Sequence, residues 1–436
     1  MPAIRQFTTG VLVNVTVDNP TAVNMRHYTS AAAFLLMAIA LVVPSGYSLG
    51  AVMLLLGSVA LLFLPKGSAL ERRDWWIVAV LIAIAAVWIA EAWWDGQGTR
   101  GMDKPIRFLL AVPVLMLLLA YPPRAGALWA GVAVGGLLTG SWATWQKAAL
   151  DVERASGYTY VIQYGNISML TGILCLAGMG WAVKQPRRGM WLALLLLGCV
   201  GGVLGSLLSG TRGGWIGIPV VLWVLYRGYG RDLPYRWKAS ALSALLIIGA
   251  LAYAVPQAGV QARVNEAVND VYLYFAEDYR LTSVGARFDM WQGASRLIVQ
   301  KPVFGWGSNG YREGMEALAE RGVIDPITAQ FGHAHNDFID AAAKRGIFGL
   351  LAVLALYLIP IRLFAHQLNA SDLELRSLAV AGVLLPVAYF DFGLSQVFLA
   401  HNSGVMVYAF LLPVIWALFR HAEQAQMQEA THLPPK

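Results

Sequence analysis

The chain has 436 residues, of which 58% are hydrophobic and only 13% charged, and its mean hydropathy is +0.57. Soluble domains carry about 25% charged residues, and an ionised group in hydrocarbon is costly, so the composition excludes a soluble globular protein and makes membrane lipid the surrounding solvent. The net charge of +7 does not indicate a nucleic-acid partner, because the basic residues punctuate apolar runs instead of forming one patch. The two cysteines, Cys175 and Cys199, sit inside apolar runs, and neither a disulfide nor a thiol metal pair is expected between them.

In chain order, residues 1–30 read as a cytoplasmic N-terminal extension without the apolar stretch of a cleavable signal peptide. Twelve apolar runs follow, at 31–47, 49–64, 75–93, 107–121, 125–146, 167–183, 189–208, 213–227, 237–255, 346–366, 375–392 and 396–420. The expected fold is therefore an all-α integral membrane protein. Helices 1–9 lie within 31–255 and helices 10–12 within 346–420, followed by a cytoplasmic tail at 421–436. With the N-terminus inside, seventeen basic residues fall on the cytoplasmic side, and the short outer loops hold only Arg100, Lys104, Arg107, Lys147, Arg154 and Arg212. This bias places segment 256–345 in the periplasm. The segment is too long for an idle connection, and Phe288, Trp291, Ser295 and Ile298 recur at helical spacing, which predicts an amphipathic helix packing that face.

Three features on the outer side carry chemistry. Ser209-Gly210-Thr211-Arg212-Gly213-Gly214 forms a tight turn at which the eighth helix is expected to start, so that its free N–H groups and Arg212 make an anion site; the alternative is a snorkelling or capping arginine. Ser283 to Trp291, with Arg287 between them, leads to Pro302 and a stretch, 305–310, that fits Gly-x-Gly-x-x-Gly. No strand precedes it, so it reads as a turn that positions the Arg287 helix and not as a dinucleotide fingerprint. Last, His333-Ala334-His335-Asn336-Asp337 precedes the tenth run, expected to begin near Gly346. It offers a general base, a structural pair of histidines, or a metal site with Asp337 and Asp340. Gln163, Tyr164 and Asn166 before the sixth helix, and Lys104 and Arg107 before the fourth, could supply further phosphate or sugar contacts; Asp391 is an isolated acid in an apolar run.

Together these motifs resemble the O-antigen ligase/polymerase family of multi-spanning glycosyltransferases. The resemblance rests on Arg212-Gly213, on Ser283/Arg287/Trp291, on Pro302/Gly305/Gly307, and on His335-Asn336 followed by Gly346 and Gly349, covering about 205–350. It implies transfer of O-antigen glycan from undecaprenyl diphosphate to a hydroxyl of lipid A–core oligosaccharide at the periplasmic face of the inner membrane. It further implies His335 as base and Arg212 and Arg287 on the diphosphate, with inversion and with no metal or cofactor. Arginine suits the leaving group because its fork binds phosphate bidentately. Ser283, Trp291, Asn336, Gln163, Tyr164, Lys104 and Arg107 are the expected substrate contacts. The family's other acceptors, a repeat unit for a polymerase or a protein Ser/Thr for an O-oligosaccharyltransferase, stay open, although the short tail after the last apolar run favours a ligase over the protein-modifying group. A transporter or flippase is the alternative from a different class; charges gathered at one face, and not chained through the membrane, argue against it.

Overall fold

The computed structural model describes residues 20–63, 70–231, 233–255 and 259–432. Most of the expected N-terminal extension, the end of the tail, residues 256–258 of the outer segment, and the basic residues Arg5, Lys66 and Lys436 lie outside the described residues. The helices are α1 (Pro20–Ala38), α2 (Gly46–Ser58), α3 (Arg72–Trp94), α4 (Gly98–Ala120), α5 (Ala125–Ala149), α6 (Val161–Val183), α7 (Arg188–Leu208) and α8 (Ile218–Leu225). They continue with α9 (Tyr235–Ala254), α10 (Val260–Ala276), α11 (Gly285–Gln300), α12 (Gly307–Glu320), α13 (Pro326–Ala329), α14 (Asp337–Ala365), α15 (Leu373–Ser395) and α16 (Asn402–His432). No strand occurs among the described residues.

Seven of these helices, α3, α5, α6, α7, α14, α15 and α16, are long and apolar enough to cross a membrane. The expected count of twelve is not reached on those grounds: α2 and α8 have 13 and 8 residues, short of the roughly 20 that a span requires. Helix α4 begins at Gly98, so Lys104 and Arg107 lie inside it and not before it. The break expected between the first two runs is present, with Ser45 in a left-handed conformation (φ 54°) ahead of α2.

Glycine sets the distances within the bundle. A Cβ on Gly136 of α5 would lie 2.2 Å from the Gly198 carbonyl oxygen of α7, and one on Gly202 of α7 would lie 2.6 Å from the Ser168 carbonyl oxygen of α6. Small residues let helix backbones meet where lipid offers no hydrophobic drive to associate. Ion pairs separate the two ends of the bundle. At one end Arg73 and Arg420 meet Glu423 and Lys184 meets Asp372; at the other Arg345 pairs with Glu91 and Arg107 with Asp103.

Between α9 and α14 the chain builds a helical module with its own core of Met290, Leu297, Tyr311, Met315, Leu318 and Ile324. The buried stripe of α11 is Met290, Ala294 and Leu297, and not the predicted Phe288/Trp291/Ser295/Ile298 face; Ser295 is exposed and the two aromatic rings flank the core. The module joins the bundle through backbone contact. Gly305 (φ 73°) and Gly346 (φ 61°) each lie against the other's strand of chain, and Trp306 N–H donates to the Ala343 carbonyl at 3.0 Å while Ile347 N–H donates to that of Pro302 at 2.8 Å. The Gly-x-Gly-x-x-Gly stretch is thus a joint. Its second glycine sits against Asp95 at the end of α3, whose carboxylate accepts from Asn309 N–H at 2.9 Å.

These contacts give a matched pair of outcomes. Gly136→Ala forces overpacking and is expected to lower stability by about 1–3 kcal/mol. Gly189→Ala, with open space around its Cβ, should equal or exceed wild type, because alanine is the better helix former. Thermal unfolding in detergent reads both, and equal midpoints for the two variants would show that the α5–α7 seam is slack.

Candidate active site

The His335 segment is held more firmly than a surface loop. Ala334 is fully buried and both its backbone groups are engaged: its N–H donates to Asp340 Oδ1 at 3.1 Å, and its carbonyl accepts from Trp291 Nε1 at 2.8 Å. Lys344 Nζ pairs with Asp340 at 2.9 Å and donates to the Gly332 carbonyl at 2.8 Å. Asn336 then caps α14, its Oδ1 accepting from Phe338 and Ile339 N–H at 3.0 Å while its Nδ2 donates to the Leu394 carbonyl at 3.0 Å. Helix α14 therefore starts at Asp337, nine residues before the expected Gly346, which instead marks a kink inside it. Between two fixed neighbours His335 adopts φ 48°, a left-handed conformation that costs a non-glycine residue about 1–3 kcal/mol and persists only where the surroundings impose it.

The imidazoles of His333 and His335 lie 4.3 Å apart, nearly perpendicular, and neither Nδ1 has a protein partner. Burial, then the charges of His333 and Arg287, pulls the His335 pKa down to about 3, against an opposing hydrogen bond with the Gln396 side chain. Burial likewise lowers His333, and it takes His401 down to about 4. Each of these shifts favours the neutral imidazole. Among the described residues no three His, Cys, Asp or Glu side chains group as metal ligands. Asp340 is committed to Lys344 and to the Ala334 N–H, and Asp337 accepts from Phe398 and Leu399 N–H and from the Tyr357 hydroxyl.

Arg287 shares a cleft of about 470 Å3 with His335, Ser283, Thr282 and Phe331. Burial, then the charge of Arg212, presses the Arg287 pKa below its ordinary value, with Arg154 acting in the same direction. Arg212 does not sit at a helix N-terminus as expected: glycines 210, 213, 214 and 217 delay α8 to Ile218, and the turn is the C-terminal exit of α7. Arg212 Nη1 instead donates to the Arg263 carbonyl at 2.8 Å, and Arg154 Nε donates to that of Ser209 at 2.8 Å. Arg154, Arg212, Arg263 and Arg287 therefore form one cationic group; Glu153 and Glu266 beside it are 87% and 49% exposed, and the buried Asp270 acts on Arg287 as a partial counter-charge. Such a group suits a polyanion.

Of the other expected contacts, Ser283 lines the cleft, whereas Trp291 and Asn336 hold the histidine turn with their own polar atoms. The Tyr164 hydroxyl donates to the Thr139 carbonyl inside the bundle, and Arg107 pairs with Asp103. Lys104 is close enough for its charge to lower His401. Gln163 and Asn166 are fully buried, and both amides lack protein partners. Asp391 lies beneath Gly217 with Oδ1 unpartnered. Sequence reasoning missed Arg263, Arg154, Gln396 and the Asp340–Lys344 clamp. Arg263, Glu266 and Asp270 recur at helical spacing, which marks one polar face of α10.

Lys344→Met would leave Asp340 buried without its partner and free the Gly332 carbonyl, with an expected loss of about 3–5 kcal/mol. The Asp340→Asn/Lys344→Met double variant should recover part of it. A double variant no more stable than Lys344→Met, measured by thermal unfolding in detergent, would contradict the buried ion pair.

A family model described as O-Antigen ligase matches residues 197–354, the stretch that contains Arg212, Arg287 and the whole histidine turn. An uncharacterized protein of Haemophilus influenzae is 30% identical over 371 residues, covering 84% of this chain and 92% of that protein. An O-antigen ligase of Escherichia coli K12 is 25% identical over 243 residues, 54% of this chain, so the match spans about half (54%) of that ligase's length. Residues 197–354 of the chain, which carry both arginines and the histidine turn, therefore belong to the O-antigen ligase family.

Proposed function

We propose that the protein transfers O-antigen glycan from undecaprenyl diphosphate to a hydroxyl of lipid A–core oligosaccharide, at the periplasmic face of the bacterial inner membrane. The observation that carries this reading is one cleft holding a neutral imidazole, His335, beside Arg287, which is electrostatically continuous with Arg212 and Arg154. A glycosyl diphosphate is already activated, so the protein has two tasks. Arg287 and Arg212, with Arg154 and Arg263, hold the diphosphate and accept the charge that grows on it as the C1–O bond breaks. His335 takes the proton of the acceptor hydroxyl as its oxygen bonds to C1 on the opposite face, which inverts the anomeric centre. No metal or cofactor enters either step. Ser283 lines the cleft beside His335, and Lys104 and Arg107 lie at the rim; Tyr164, Trp291 and Asn336 act by fixing the helices and the turn, and Gln163 and Asn166 are amides buried within the bundle. The ligase reading is preferred to the polymerase and protein-modifying ones because a relative named O-antigen ligase matches 243 residues of the chain.

In this scheme the base titrates differently with and without donor. Burial and neighbouring cations disfavour the imidazolium in the free enzyme; a bound diphosphate offsets those cations, favours the imidazolium and raises the pKa. The acid limb of kcat/KM, which reports the free enzyme, is therefore expected well below pH 6.5, and the acid limb of kcat at higher pH. Coincident limbs would remove the coupling. His335→Ala should cost about two to four orders of magnitude in kcat and His333→Ala much less, with EDTA leaving the rate unchanged. Equal losses for the two histidines together with zinc-reversible EDTA inhibition would favour a metal instead.

Arg212→Lys and Arg287→Lys should each lose most activity while still folding, because a point charge does not reproduce a bidentate fork. Wild-type transfer rates from well-expressed lysine variants would take the arginines out of the mechanism.

A further inference from the structure

The cleft beside His335 is divided chemically. Its charged edge is Arg287, whereas Arg154, Arg212 and Arg263 do not line it, so the main anion site lies on the α7–α10 side of His335. The opposite wall is apolar yet open to water: Leu281, Ile327 and Phe331 are 40%, 51% and 41% exposed. Thr282 and Ser283 add hydroxyls, and no carboxylate lines the space. These residues belong to the helical module and not to a spanning helix.

The wall is also rigid. Helix α13 is capped by Asp325, whose Oδ1 accepts from Ile327 N–H at 2.8 Å. The buried carboxylate of Asp289 ties it down by accepting from Asp325 N–H at 2.8 Å and from the Thr328 hydroxyl. Arg280 pairs with the other Asp289 oxygen at 3.1 Å. Phe331 leaves this platform with its ring centroid 5.8 Å from that of His335. A held aromatic face, flanking hydroxyls and a proton acceptor are what a pyranose ring needs, since its C–H face packs on an aromatic ring while its edge hydroxyls seek hydrogen bonds.

We infer that this cleft is the acceptor subsite, which takes a sugar ring by its apolar face against Phe331 and turns one hydroxyl toward His335. The inference rests on the glycosyl-transfer reading and deepens it. The acceptor is a carbohydrate; a serine or threonine side chain would leave the Phe331 wall unused. Donor and acceptor then approach His335 from opposite sides, the diphosphate from the arginine group and the acceptor from the module.

The test is steady-state transfer by the full-length protein in detergent, with a defined polyprenyl-diphosphate-linked oligosaccharide as donor and lipid A–core oligosaccharide as acceptor. Phe331→Ala should raise the acceptor KM about two- to tenfold and leave the donor KM in place, and Phe331→Trp should restore the acceptor KM. Ser283→Trp, which fills the cleft, should stop transfer while the donor still raises the thermal midpoint. A higher donor KM in Phe331→Ala, or an unchanged acceptor KM together with transfer by Ser283→Trp, would overturn the assignment. If His335→Ala and Arg287→Lys transfer at the wild-type rate in the same assay, the underlying reading fails and the subsite with it. If those two are inactive while Phe331→Ala and Ser283→Trp behave as wild type, only the subsite is lost.

Discussion

The site depends on one constraint, the fixing of Ala334. A buried peptide group must find hydrogen-bond partners inside the protein, and Ala334 finds both in side chains, Trp291 from α11 and Asp340 from α14. These bonds define the path of the chain on either side, and Asn336 completes it by starting α14 immediately afterwards. His335 is left with no freedom to relax out of its left-handed conformation. The strain is local and the restraint comes from two helices. Trp291 and Arg287 lie four residues apart on α11, so the helix that carries the cation also fixes the base.

Electrostatics follows from that placement. Four guanidinium groups outnumber their counter-charges, the exposed Glu153 and Glu266 and the buried Asp270, so a further cation is unwelcome there and the buried imidazole beside them is held toward its neutral form. Neutral histidine is a proton acceptor by default, but one with a pKa of about 3 is a weak base. A bound polyanion reverses the balance, because it cancels the charges that hold the imidazolium out. Basicity would then rise when the leaving group is in place, so binding energy at the diphosphate also prepares the proton transfer.

Much of this was legible in the residues. Arg287 and His335 stand out because each sits in a polar motif between apolar runs, and among the described residues each run overlaps a helix. What was misread has physical causes. Helix α11 carries two apolar stripes, and periodicity does not say which is buried; the heavier Phe288 and Trp291 drew the prediction, whereas the smaller Met290, Ala294 and Leu297 fit against the neighbouring helix. The start of α14 was hidden because Asp337, Asp340 and Lys344 look like loop residues. Asn336 followed by an acid in the first turn is nonetheless a start signal that could have been used. The turn around Arg212 was read as a helix start, but four glycines over eight residues let the chain cross from α7 to α8 without helix. The arginine cluster assembles from the α7–α8 turn, α10, α11 and the loop between α5 and α6, and pattern alone does not bring them together.

The glycines at 305 and 346 show why spacing can matter more than residue chemistry. Neither touches the cleft. Each is in a positive-φ conformation that permits the backbone of the other segment to approach, and a Cβ on Gly346 would meet the Val303 carbonyl oxygen at 2.1 Å. Because α11 ends at this joint and α14 kinks there, the joint sets how far Arg287 stands from His335 along two different helices. A side chain at either position would push the two backbones apart, and the displacement would be delivered to the cleft through α11. A stretch that reads as a phosphate-binding fingerprint is therefore the joint between the helix bundle and the module, and its glycines are required by the approach of two backbones and not by a nucleotide.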